Sequence, residues 1–127
     1  MSLWNSTRED RVREFNEAGG GKTFSEGGSL GVQVGCFSEE LKEFNDALTE
    51  YVLEPTPENR AAMIKEWADV QVTLSNFAWF FEFNGQVAFT RVADNNMTKV
   101  IDGKVIKRED GKILKPEGYV KPDMTGL

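Results

Sequence analysis

The chain has 127 residues, a length that predicts one domain with room for a usable core. Fifteen Lys and Arg against 21 Asp and Glu give a net charge of −6, which argues against a protein that binds nucleic-acid phosphates through clustered cations. The sequence has no histidine and one cysteine, so imidazole catalysis, a thiolate zinc site and an internal disulfide framework are excluded.

The first predicted element is a helix over residues 7–18. Ser6 and Glu9 stand three residues apart, which is the spacing of a capping box at a helix N-terminus. The run Gly19–Thr23 has the glycines and the Lys-Thr pair of a phosphate-binding loop, but that motif requires a glycine where Asn16 stands and a strand before it. We therefore expect a linker between helices here, either a plain connection or a mobile loop over a substrate.

Three further helices are predicted, over about residues 29–53, from Thr56 to about Asn84, and over about residues 86–100. Thr56 is a good N-cap and is followed by a proline in the first turn, and Gly85 is interpreted as the C-terminal signal of the third helix. Apolar residues recur at spacings of three and four along the second and third helices. These two stripes comprise Val34, Phe37, Leu41, Phe44, Leu48 and Val52, and Met63, Trp67, Val70, Leu74, Phe77, Ala78 and Phe81.

The helical pattern ends in the last part of the chain. Two short stretches of alternating polarity, 104–107 and 112–115, are flanked there by Asp-Gly turns, which predicts a small β-hairpin. The predicted class is therefore all-α: an antiparallel bundle of about four helices over residues 7–100, with a small β-hairpin and irregular tail over 101–127, in a single domain spanning 1–127. No apolar run is long enough to span a membrane and no signal peptide is recognised, so a cytoplasmic protein is expected. The dense aromatic run at 77–83 predicts a homo-oligomer, dimer or tetramer, because a monomer would expose part of it.

Two pairs of acidic residues are the most informative feature of the sequence. Glu40 and Glu43 lie three residues apart on the second predicted helix, and Glu66 and Asp69 lie three apart on the third. At about 100° per residue, each pair has the same angular offset from the apolar stripe of its own helix. If the two helices pack antiparallel through those stripes, both pairs line one edge of the seam between them.

Four carboxylates on one seam repel one another unless a cation lies between them. Residues at positions i and i+3 have Cβ atoms about 5–6 Å apart, close enough for both carboxylates to reach one ion. Mg²⁺ takes oxygen ligands and is commonly shared with substrate phosphates, whereas the lack of histidine and of a cysteine cluster argues against zinc. Spacing alone leaves open that the acids form an ordinary solvated helix face.

Together with other segments, these acids resemble the metal-binding signature of the all-α nucleoside triphosphate pyrophosphohydrolases, the MazG-like superfamily. This superfamily includes MazG, dimeric dUTPases, dCTP pyrophosphatases and phosphoribosyl-ATP pyrophosphohydrolase. Residues 12–16 resemble its first-helix segment, although Asn16 stands where many phage-type members are expected to have histidine. Residues 96–99 and 110–116 resemble the Asn-x-x-Lys element and the Asp-Gly-Lys tail of small phage and bacterial members, so that the resemblance covers about residues 9–124.

The resemblance implies Mg²⁺-dependent hydrolysis of a nucleoside triphosphate between the α and β phosphates, releasing a nucleoside monophosphate and pyrophosphate, with Mn²⁺ as a substitute ion. The implied metal ligands are Glu40, Glu43, Glu66 and Asp69, the candidate acceptor of the proton of the attacking water is Glu39, and the implied substrate-binding residues are Asn96, Lys99, Lys112 and Lys115. Glu39 is equally interpretable as a solvent-facing acid, and Lys99 as an ordinary cation at a helix C-terminus.

Two alternative functions remain open at this point. One is a phosphoribosyl-ATP pyrophosphohydrolase, since a single sequence does not define the base pocket. The other is a non-catalytic helical protein that oligomerises through its aromatic surface and carries the acids as a solvated face.

Overall fold

The computed structural model describes residues 7–127, which form four α-helices. These are α1 (Arg8–Ala18), α2 (Leu30–Leu53), α3 (Pro57–Phe80) and α4 (Gly85–Met97). Within this described part of the chain no continuous strand forms, so the all-α prediction is confirmed. None of these helices combines the length and apolarity needed to cross a bilayer.

Helix α1 starts with a capping box, one residue later than predicted. The Thr7 hydroxyl accepts a hydrogen bond from the Asp10 backbone N–H at 3.1 Å, and the Asp10 carboxylate accepts one from the Thr7 N–H at 3.2 Å. The predicted partner Ser6 lies outside the described residues. The observed box uses Thr7 and Asp10, and the Glu9 side chain accepts a hydrogen bond from Ser75.

The starts of α2 and α3 follow the sequence closely. The side chains of Ser29 and Thr56 each accept a hydrogen bond from the backbone N–H three residues later, at 3.2 and 3.1 Å, and so act as N-caps. Pro57 occupies the first position of α3, where its missing N–H costs nothing. The connection from α2 to α3 is three residues long, 54–56, which forces the two helices to run antiparallel.

The boundary between α3 and α4 differs from the prediction. α3 ends at Phe80 instead of near Asn84, because Glu82 adopts a left-handed φ of 57° that cannot continue a helix. The Asn84 side chain then accepts from the Val87 N–H at 3.0 Å and caps α4, whose first residue is Gly85. The interpretation of Gly85 as a terminator of α3 was therefore wrong, since the asparagine before it starts a new helix.

The first compact unit ends at Phe83 and contains α1, α2 and α3. α2 packs on α3 through contacts that include the rings of Phe37 and Phe77, which meet edge to face with centroids 5.7 Å apart. α1 packs on α3 through polar contacts, including hydrogen bonds from Ser75 to Glu9 at 2.8 Å and from Asn16 to Asn76 at 2.9 Å. α3 is thus the central helix of this unit.

The buried core of this unit is small and lies at the C-terminal end of α3. Phe80 is 0% exposed, and Val12 and Ala78 are also buried. The glycine-rich linker docks here: the Phe24 N–H donates to the Phe80 carbonyl at 2.9 Å, and the buried Thr23 hydroxyl donates to Glu26 at 2.9 Å. These contacts favour a fixed connection over a mobile loop.

Much of the predicted apolar stripe is not enclosed by this unit. Trp67, expected in the core, is 51% exposed. Val52 and Leu53 at the end of α2 are 69% and 80% exposed. Large apolar side chains are therefore left at the surface of the single chain.

The second compact unit, Asn84–Leu127, consists of α4 and the tail that folds back on it. Tyr119 donates its hydroxyl to the Asn95 side-chain oxygen at 2.6 Å, and the Asn95 amide donates to the Val120 carbonyl at 2.7 Å. The predicted hairpin is reduced to isolated antiparallel bridges, Ile101 with Lys104 and Lys107 with Ile113. The tail thus gains its order from side-chain bonds to α4 as well as from turns.

Candidate metal centre

Three of the four predicted metal ligands converge where α2 faces α3. Glu40 and Glu43 project from consecutive turns of α2, and Glu66 projects from α3. One carboxylate oxygen from each lies within 4.8 Å of the other two. Glu40 and Glu66 are half-buried and Glu43 is exposed, so the group opens to solvent on the Glu43 side.

Asp69, the fourth predicted ligand, is engaged by a lysine that the sequence analysis did not single out. The Lys65 ammonium group lies 2.6 Å from the Asp69 carboxylate and 3.5 Å from Glu66. The signal was present in the sequence, because Lys65 stands four residues before Asp69, the spacing of a helical ion pair. Lys65 thus supplies positive charge at one edge of the acidic group.

Two oxygen atoms in this group have no hydrogen-bond partner among the described residues. Glu40 Oε2 and Glu66 Oε2 are shielded from solvent and form no hydrogen bond with any group of the described chain. Leaving a buried carboxylate oxygen unsatisfied is costly, more so than for a neutral group. A cation bound among the three carboxylates would satisfy both atoms at once.

The electrostatics of Glu40 reflect the same crowding. Burial raises the pKa of Glu40 above its ordinary value of 4.5, and the negative charges of Glu43, Asp69 and Glu66 raise that pKa further. Ionisation of all these carboxylates at the same time is therefore unfavourable. A proton on Glu40 or a bound cation relieves the repulsion, and the two compete.

The donor set suits a hard divalent ion. Since Mg²⁺–O distances are about 2.0–2.1 Å, two ligands on opposite sides of one Mg²⁺ lie about 4.2 Å apart, and on a Ca²⁺ ion up to about 5 Å apart. The three oxygens lie within 4.8 Å of one another, which is close to this range. All three donors are carboxylates, so the residues present fit such an ion.

The other predicted site residues lie outside this group. Glu39 is exposed and is not among the converging carboxylates. The four residues predicted to bind substrate all belong to the second unit. There the Asn96 side-chain oxygen accepts from the Lys99 ammonium at 3.0 Å, Lys115 lies over the Tyr119 ring, and Lys112 has an exposed side chain.

Comparison of the chain with known protein families and with curated protein sequences gave no match.

Proposed function

We propose that this protein is a Mg²⁺-dependent nucleoside triphosphate pyrophosphohydrolase, which cleaves between the α and β phosphates to give a nucleoside monophosphate and pyrophosphate. The observation that carries the proposal is the convergence of Glu40, Glu43 and Glu66 from two helices, with unpartnered oxygens on two of them. The resemblance of the acid spacing to MazG-like enzymes supports the same reaction. We also propose that the protein is cytoplasmic, as expected from the sequence.

In this proposal Glu40, Glu43 and Glu66 would hold the ion, and Asp69, which is paired with Lys65 in this structure, would be the fourth ligand. When bound, Mg²⁺ supplies neutralisation of phosphate charge and a fixed orientation of the phosphate chain. Glu40 and Glu66 are half-buried and one carboxylate oxygen of each is shielded from solvent, which strengthens electrostatic interactions at these atoms.

Glu39 remains the proposed acceptor of the proton from the attacking water. It adjoins Glu40 on α2, is exposed, and is not one of the three converging carboxylates. Its carboxylate is therefore available for proton transfer without removing a ligand. In the second unit, Asn96, Lys99, Lys112 and Lys115 are the proposed contacts to substrate.

A panel of ribo- and deoxynucleoside triphosphates with Mg²⁺, including phosphoribosyl-ATP, tests the reaction. We expect release of pyrophosphate without orthophosphate, and the preferred substrate distinguishes nucleotide hydrolysis from the phosphoribosyl-ATP alternative. Orthophosphate as the sole phosphate product would contradict the proposed bond cleavage. Glu43→Gln and Asp69→Asn should each abolish turnover with the helices intact by circular dichroism, and full activity in either would refute that ligand assignment.

Glu50→Gln provides the matched control for these variants. Glu50 lies on α2 beyond the acidic group, its side chain is exposed, and the substitution removes the same charge. We expect this variant to retain wild-type turnover. A comparable loss in Glu50→Gln would mean that net charge, and not ligation, sets the activity.

We also propose that the protein is a homo-oligomer. Exposed apolar side chains on α2 and α3 support this, among them Trp67, Val52 and Leu53. The same observation favours the second candidate function, a non-catalytic oligomerisation protein. Analytical ultracentrifugation decides the state, and a protein that assembles but shows neither metal binding nor turnover would support the second candidate.

A further inference from the structure

Two lysines from distant points of the sequence meet the same aromatic ring in the second unit. The Lys99 ammonium lies 5.6 Å from the centroid of the Tyr119 ring, and the Lys115 ammonium lies 5.4 Å from it. Both distances fall within the range of cation–π attraction. The two ammonium groups are consequently no further apart than the sum of these distances, about 11 Å, despite their like charge.

Tyr119 is fixed in place independently of the lysines. Its hydroxyl donates to the Asn95 side chain on α4 at 2.6 Å, and the same Asn95 amide holds the next residue, Val120, through its carbonyl at 2.7 Å. The ring is half-buried. It is therefore an anchored platform, and the more flexible lysine side chains are arranged around it.

The two cations lack acidic partners. In the described part of the chain neither Lys99 nor Lys115 forms a salt bridge, and Lys99 donates instead to the neutral Asn96 side chain at 3.0 Å. The charge of the unit is consistent with this: residues 84–127 hold eight Lys and Arg against six Asp and Glu, a net +2 in a chain of net −6. Two cations held at the same ring, with no carboxylate partner among the described residues, favour an anionic ligand with more than one charge.

We propose that Tyr119 is a positioning residue that gathers Lys99 and Lys115 into one paired-cation site for a polyphosphate chain. Contact of the lysines with substrate rests on the proposed function, whereas their pairing through Tyr119 follows from the geometry of the second unit. Tyr119 itself need not touch the ligand. It offsets the repulsion between the ammonium groups and so keeps both directed at one anion.

Titration of the full chain with inorganic tripolyphosphate in EDTA, followed by calorimetry, tests this pairing without a metal or turnover. We expect Lys99→Gln to weaken binding about tenfold, the loss of one charge-assisted contact. Tyr119→Leu should weaken it to a similar extent, and Tyr119→Phe, which keeps the ring, should stay within about threefold of wild type. In the Tyr119→Leu background the additional effect of Lys99→Gln should shrink to less than about threefold, because the two residues act together.

Lys121→Gln is the control, since Lys121 is an exposed tail lysine of the same charge without a contact to the Tyr119 ring. Its affinity for tripolyphosphate should stay near that of wild type. An equal loss in Lys121→Gln, unchanged binding in a folded Tyr119→Leu variant, or the absence of tripolyphosphate binding by the wild type would each overturn the pairing. Failure of the hydrolysis assay with tripolyphosphate binding intact would refute the proposed function alone.

Discussion

Replacing Glu66 with glutamine removes one of the three converging charges and supplies an N–H donor beside Glu40. A charge within 4.8 Å of another repels it by about 0.9 kcal/mol in bulk water and about 3.5 kcal/mol at an effective dielectric of 20. We expect the metal-free variant to be more stable than wild type by about 1 kcal/mol. The gain lies near the lower limit because Glu43 keeps the group open to solvent and because the variant also loses the attraction between Glu66 and Lys65 at 3.5 Å. For a chain of this length this corresponds to a rise in Tm of about 3–4 °C.

Glu66→Gln should stabilise the metal-free protein but reduce the stabilisation that metal binding provides. An ion present at a hundredfold excess over its Kd stabilises the wild type by about 2.7 kcal/mol, and a tenfold weaker site in Glu66→Gln retains about 1.4 kcal/mol. The increment in Tm on adding Mg²⁺ should therefore fall by about half or more. A ligand carboxylate should thus destabilise the metal-free protein and be required for the full stabilisation by metal.

Far-UV circular dichroism melts in EDTA and in millimolar Mg²⁺ or Mn²⁺ measure both quantities. Glu50→Gln should leave the metal increment unchanged, because Glu50 lies outside the group. A wild-type Tm that does not respond to either ion would refute the metal site. A Glu66→Gln variant with the full metal increment would remove Glu66 from the ligand set.

Three further outcomes are expected. Because the pKa of Glu40 is raised above 4.5, the native chain retains a proton that the unfolded chain has lost. The stability of the metal-free protein should therefore fall as pH rises through that raised pKa. Urea midpoints across this range should show the fall, and Glu40→Gln should reduce it. Lys65→Gln frees Asp69 and removes a positive charge, so calorimetry should show Mg²⁺ binding severalfold tighter, and unchanged affinity would separate Asp69 from the site. Phe80→Ala should lower the free energy of unfolding by about 3–5 kcal/mol, well beyond the effect of Phe81→Ala at a site 44% exposed; equal urea midpoints would contradict the position of the core.

Local signals in the sequence predicted most of the helices. The N-caps at Ser29 and Thr56 and the proline after Thr56 act within one turn of the chain, so the starts of α2 and α3 were found. The end of α3 was not predicted correctly, because an Asn-Gly pair is compatible both with the end of one helix and with the start of the next. The left-handed Glu82, held by a hydrogen bond from Ser25 across the fold, decides between these.

The sequence also predicted part of the candidate site, and the tertiary structure decided the rest. The i, i+3 spacing of the acids and their common offset from the apolar stripes indicated that carboxylates from two helices would meet, and Glu40, Glu43 and Glu66 do so. The pairing of Asp69 with Lys65 was readable in principle from their spacing.

By itself the sequence determined helix type, helix starts and the face on which each acid lies, because these depend on residues within a turn or two of one another. Tertiary packing alone decided which carboxylate oxygens lose their solvent. It also decided that Lys99 and Lys115, sixteen residues apart in the chain, both lie near the Tyr119 ring. The physical reason is that desolvation and charge proximity are properties of segments meeting in space. The spacing of residues along one helix does not indicate how closely a second segment approaches that helix.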